Sequence, residues 1–130
     1  MTPGILLFAH GARDPNWAIP FQRTKALLAQ MPTAQGQAPV ELAFLEFMQP
    51  DLLEGGERLV KAGCSEVTVV PLFLGAGGHV RKDLPELMSQ LQARHPGVTW
   101  RLAPAVGETD TLVQALARSA AELAGLTPKV

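Results

Sequence analysis

Ile5-Leu6-Leu7-Phe8-Ala9-His10-Gly11-Ala12-Arg13-Asp14 is the stretch on which the fold turns. Five apolar residues in a row, cut off by His-Gly, predict a strand buried on both faces, the habit of a parallel sheet. The segment Trp17 to Met31 follows with helical spacing. Phe21, Leu27, Leu28 and Met31 share its apolar face, with Gln22, Arg23 and Lys25 between them. Pro32 to Pro39 reads as a loop and Val40 to Glu46 as a second strand.

The next helix opens at Pro50-Asp51 and closes at Gly63, with Leu52, Leu53, Leu59 and Val60 inward. Gly55-Gly56 weakens the expectation for its first half. Val67 to Leu74 is rich in β-branched residues and predicts a third strand, with Pro71 marking a bulge or an early end of pairing. After the turn Gly75-Ala76-Gly77-Gly78, the sequence Asp83-Leu84-Pro85-Glu86 reads as a capping box that opens a helix running to Arg94. His95-Pro96-Gly97 ends it. Val98 to Leu102 is a fourth strand, and Thr109 to Ala124 a last helix with Leu112, Val113, Leu116, Ala120 and Leu123 facing inward. Strand then helix, four times over, predicts an α/β fold. We expect a four-stranded parallel sheet in the order 2-1-3-4, with helices on both faces and a single domain over residues 1–130.

Composition narrows the function classes. Of 130 residues, 47% are hydrophobic and 18% charged, which argues for a packed core and against disorder. The formal net charge of -1 supplies no basic field for nucleic acid or anionic membrane, so neither is an expected partner. The single Cys64 excludes an internal disulfide and a multi-cysteine metal site; it reads as a small buried apolar residue. The N-terminus has no basic region, and the runs Ile5–Ala9 and Val67–Gly75 are too short for a signal core or a membrane span. A cytoplasmic protein is expected.

Ligands of open parallel sheets bind beyond the carboxyl ends of the strands. Three ends carry chemistry here: His10 to Asp14 after the first strand, Glu46 after the second, and Gly75 to Asp83, with His79, after the third. Two imidazoles and a carboxylate form an open site for a divalent first-row metal, with positions left for a substrate. Plainer readings stand beside this one. His10 alone could donate to a loop carbonyl, and Glu46 could be a solvated or capping carboxylate. Gly77 and Gly78 could offer backbone amides to an anion, or only make a tight turn; their spacing is not that of a nucleotide-binding loop. Arg13, Arg81 and Lys82 could pair with an acidic ligand or be solvated. His95 complements a helix end and is assigned no chemistry.

Taken together, these motifs resemble a known family. Leu7 to Pro15, Phe44-Leu45-Glu46 with Pro50, and Pro71 to Leu74 through Gly78-His79-Val80 and Asp83-Leu84-Pro85 are similar to three signatures of the small sirohydrochlorin cobaltochelatases. Ala12 stands where that family usually has Ser. The resemblance covers residues 5 to about 125 and implies a class II chelatase with a flavodoxin-like strand order. Such an enzyme inserts Co(II), or in some members Ni(II) or Fe(II), into an acidic tetrapyrrole without ATP. The metal is a substrate, and no permanently bound cofactor is implied. The resemblance further implies that His10 and His79 hold the metal and take up pyrrole protons, with Glu46 beside it. Sirohydrochlorin carries eight carboxylates, for which Arg13, Arg81 and the amides of Gly77 and Gly78 would be suited. It also implies a homodimer, for which Met48, Leu74 and Val80 are candidate contact residues. Two alternatives remain open from the sequence: a metal or tetrapyrrole carrier without turnover, and a phosphate-binding domain using the Gly75–Gly78 loop.

Overall fold

The computed structural model describes residues 2–129 except Ala76; Met1, Ala76, Val130 and the side chains of residues 78–81 lie outside the described residues. The strands are β1 (Pro3–Ala9), β2 (Val40–Phe44), β3 (Glu66–Pro71) and β4 (Thr99–Leu102). The helices are α1 (Ile19–Gln30), α2 (Leu52–Lys61), α3 (Gly78–Arg94) and α4 (Asp110–Leu123). Every pairing is parallel and the strand order is β2-β1-β3-β4, as the sequence predicts.

Central placement explains the unbroken apolar run of β1. Leu6 and Phe8 enter a core with Ala43, Leu59, Val67, Val69 and Leu91, on the face covered by α2 and α3. Leu7 and Ala9 enter a second core with Ala18, Val40, Leu42 and Phe44, flanked by Trp17, Phe21 and Leu28. A strand with helices on both sides has no wet face. Burying each large side chain contributes roughly 1.5–3 kcal/mol.

The Gly55-Gly56 pair does not interrupt α2, which is continuous from Leu52 to Lys61. Both glycines are buried because the helix lies unusually close to its neighbours. A Cβ on Gly55 would stand 2.9 Å from Leu6 Cδ1, and one on Gly56 would stand 2.7 Å from Leu91 Cδ2. The low helix propensity of glycine is thus offset by close packing. Asp51 caps this helix, accepting from the Glu54 amide at 2.9 Å.

Several expected boundaries are corrected. Strand β3 ends at Pro71 rather than Leu74, because proline has no amide for the ladder. Strand β2 ends at Phe44, so Leu45 and Glu46 lie beyond it. The first helix is split into a 3-10 turn, Pro15–Ala18, and α1 proper. Its inward stripe is Trp17, Phe21 and Leu28; Leu27 is rotated off that stripe and, like Met31, is exposed.

The third helix starts at Gly78, with Gly77 as N-cap, not at the Asp83–Glu86 capping box. Pro85 therefore sits inside α3. Its missing amide and ring clash would normally break a helix. Leu84, Leu87, Met88 and Leu91 all pack onto the core from this helix, which holds its two halves together. The last helix is the largest departure. Val113, Leu116 and Leu123 are exposed rather than inward, and α4 packs chiefly against the 3-10 turn at Val106–Glu108. It follows the edge strand and buries no residue of its own.

Candidate active site

Backbone pairing brings the ends of β1 and β2 together. The Leu45 amide donates to Ala9 O at 2.9 Å and the Glu46 amide to His10 O at 3.0 Å. Residues 36 apart in sequence are thus adjacent at the carboxyl edge of the sheet. Both residues are exposed.

Gly11 is the pivot of this contact. Its φ of +90° suits glycine, and an added Cβ would overlap the Glu46 carbonyl oxygen. On the β3 side, the Leu72 amide donates to Phe8 O at 2.8 Å, so the chain beyond Pro71 still runs along β1. That places the Phe73 ring 4.2 Å from the His10 ring, centroid to centroid, with the planes tilted by 37°. Phe73 is buried and forms the wall on which the imidazole lies. The sequence reading placed Phe73 in a strand and missed this role; its position beyond Pro71 was the available signal.

His79 lies in the first turn of α3, not in a loop before the helix, because the helix begins five residues earlier than expected. Its side chain, and that of Arg81, lie outside the described residues. Among the described residues no group of three His, Cys, Asp or Glu is placed to hold a metal. Gly77 is exposed at the head of the same helix with φ -69°, so its place does not depend on a left-handed backbone. Lys82 is exposed one residue beyond Arg81.

The segment Glu46-Phe47-Met48 was not singled out by sequence reasoning as a unit. Phe47 has φ +66°, and the Met48 amide donates to Glu46 O at 2.8 Å. That sign of φ and that bond belong to the rarer, strained form of γ-turn. The Arg13 guanidinium lies over the Phe47 ring, 4.9 Å from its centroid. Between the two loops is a depression of 330 Å³ that also takes in Ala12, Gln22, Met48 and Gln49. A second depression, of 240 Å³, lies on the other side of Leu45 and is lined by Asp83, Glu86, Leu87 and Gln90 of α3.

Cys64 is buried beside β1, away from this edge, where burial pushes its thiol pKa up. No described helix is long and apolar enough to cross a membrane.

The CbiX family model matches residues 4–123. The chain belongs to the CbiX family. It is 31% identical over 117 residues to the sirohydrochlorin ferrochelatase of Bacillus subtilis, covering 89% of this chain but 43% of that protein. It is 28% identical over 114 residues to the sirohydrochlorin cobaltochelatase of Sulfurisphaera tokodaii, covering 87% of each. Among solved structures, a CbiX protein from Marinobacter aquaeolei superposes with a TM-score of 0.79 at 35% identity, over 95% of this chain and 98% of that one. The sirohydrochlorin chelatase SirB of Bacillus subtilis subspecies spizizenii, solved in complex with cobalt, gives 0.73 at 28% identity, over 95% of this chain and 52% of that one. The CbiX fold is therefore that of chelatases, and the edge described above is where the motifs of this chain collect.

Proposed function

We propose that this CbiX chain inserts a divalent metal into sirohydrochlorin without ATP, with Co(II) as the principal metal and Ni(II) or Fe(II) as further substrates. The observation that carries the reading is the strand order β2-β1-β3, with the backbone bond from Glu46 to His10. It makes one edge of the sheet out of three separate sequence motifs. The relatives from Bacillus and Sulfurisphaera are named a sirohydrochlorin ferrochelatase and a sirohydrochlorin cobaltochelatase, which supports the substrate class of this reading.

In this reading His10, His79 and Glu46 hold the incoming ion. Three donors leave coordination positions for the pyrrole nitrogens, and neutral imidazole holds a dication less tightly than a thiolate site would. The macrocycle loses two N–H protons as it gains the ion, and the two imidazoles, once the ion has left them, are free to accept those protons. Hydrolysis of a nucleotide has no part in this scheme, because coordination by four nitrogens itself drives the exchange. Arg13, Arg81 and the amides at Gly77 and Gly78 receive peripheral carboxylates.

Self-association belongs to the same proposal. Leu74 is 70% exposed beside the edge, and α4 turns Val113, Leu116 and Leu123 to solvent. A second copy of the chain would supply the missing wall of the cleft. A stable pairing needs roughly 1,000 Å² or more of buried surface, and light scattering at micromolar concentration measures whether the protein is a dimer.

The direct test of the reaction is the visible spectrum of sirohydrochlorin mixed with Co(II) and catalytic amounts of protein. The expected result is a shift of the tetrapyrrole bands over many turnovers, faster than the uncatalysed control, with no ATP present. Transfer limited to one metal per protein would make the chain a carrier instead.

A further inference from the structure

Phe47 is at odds with its surroundings. Among the described residues it is the one phenylalanine or tryptophan that is mostly exposed, at 58%. It also occupies a left-handed backbone conformation that a bulky residue rarely adopts. Neither feature serves the core: Phe47 belongs to neither buried cluster. Residues held in such conformations gather at sites where the strain positions a group for a ligand.

Three observations define what that ligand would be. First, Phe47 directly follows Glu46, and Arg13 lies three residues after His10, so both belong to the loops that carry the proposed metal ligands. Second, Arg13 lies over one part of the Phe47 ring and has no carboxylate partner among the described residues. A guanidinium held by a ring keeps its in-plane donors free for an incoming carboxylate. Third, the depression beside them is open and bounded by Met48, Gln49 and Gln22, a mixture of apolar surface and amide groups.

We propose that Phe47 and Arg13 form a two-part binding subsite for a flat, acidic macrocycle. The open part of the Phe47 ring lies against the macrocycle, and Arg13 takes a carboxylate on its rim. The strained turn at Phe47 is what lifts the ring out of the core and into the cleft. This assignment rests on the chelatase reading, in which Arg13 already receives a carboxylate, and adds Phe47 and its coupling to Arg13 as what sets the affinity for the organic substrate. Phe47 is a positioning residue: it holds the macrocycle and does not exchange its protons.

The experiment measures initial rates of Co(II) insertion while metal-free sirohydrochlorin and Co(II) are varied separately. Binding of sirohydrochlorin alone is followed by its absorbance and by quenching of protein fluorescence. The wild type must bind and turn over; if it does neither, the chelatase reading and the subsite fall together. Given an active wild type, Phe47→Ala is expected to raise KM and Kd for sirohydrochlorin about 5- to 20-fold, in keeping with loss of an aromatic contact. Its kcat stays within about twofold and its KM for Co(II) is unchanged. Phe47→Trp, which restores a flat ring, brings KM back to within about twofold of the wild type. Arg13→Gln raises the same KM, and the double variant Arg13→Gln/Phe47→Ala shows less than the product of the single effects, because the two groups act as one unit. A Phe47→Ala protein that is folded by circular dichroism, turns over, and keeps the wild-type KM for sirohydrochlorin overturns the subsite alone. Equal loss in Phe47→Trp and Phe47→Ala also overturns it, since that pattern marks a turn requirement rather than a ring contact.

Discussion

Replacing Gly11 with Ala tests the joint between the first two motifs. Two costs are expected. A Cβ in the left-handed region costs roughly 1–2 kcal/mol. The Cβ would also overlap the Glu46 carbonyl oxygen, which cannot retreat without disturbing two backbone bonds: Glu46 N–H to His10 O at 3.0 Å and Met48 N–H to Glu46 O at 2.8 Å. Each such bond contributes about 0.5–1.5 kcal/mol net. The sum is about 2–5 kcal/mol. With an unfolding entropy near 2.1 cal/mol/K per residue, this length of chain should lose roughly 7–18 °C in Tm.

Gly36 supplies the control. Its φ is +89°, almost that of Gly11, but nothing lies within 4 Å of an added Cβ. Gly36→Ala therefore carries the conformational cost alone, about 1–2 kcal/mol. Thermal unfolding of the two variants, followed by circular dichroism, separates overlap from conformation. Gly11→Ala should be the less stable of the two by at least about 1 kcal/mol, and it should lose metal insertion because Glu46 is displaced. Equal stabilities would show that the loop after β2 moves freely and that the contact between His10 and Glu46 is not built into the fold.

Other outcomes follow from the same geometry. His10→Ala and His79→Ala should each remove most cobalt insertion while leaving the circular dichroism spectrum unchanged, and the double variant should be little worse than either single one; wild-type turnover by His79→Ala would remove that residue from the site. Glu46→Gln should lower the rate less than either histidine change, since an oxygen donor remains. Burial raises the folded-state pKa of Cys64 above that of the unfolded chain. From the ordinary thiol pKa of about 8.5 upward, the unfolded state therefore holds fewer protons, and stability falls as pH rises towards the folded value. Urea midpoints of wild type and Cys64→Ala across mildly alkaline pH should show this fall only in the wild type. Gly56→Ala should destabilise by about 1–3 kcal/mol by overpacking against Leu91 and Trp100, measured as a shift in denaturant midpoint with m unchanged.

The sheet was legible because its signals are local. Five apolar residues before His10-Gly11 and the β-branched run at Val67–Val70 can be buried only between two helical layers, and four alternations of strand and helix leave few topologies. The candidate residues His10 and Glu46 were legible for the same reason, since a parallel sheet collects strand ends on one edge. What tertiary structure alone decided is non-local. Helix α3 begins at Gly78 in spite of the capping signal at Asp83, and it runs through Pro85 with Leu84, Leu87, Met88 and Leu91 packed onto the core on either side. The apolar face of α4 looks like any inward stripe in sequence, but the described residues leave Val113, Leu116 and Leu123 exposed. Phe47 follows the same logic: phenylalanine is most often buried, while the backbone bond from Glu46 to His10 and the turn beyond it leave its ring mostly exposed. Periodicity reports how a residue sits on its own element; whether another element arrives to cover it depends on connections tens of residues away.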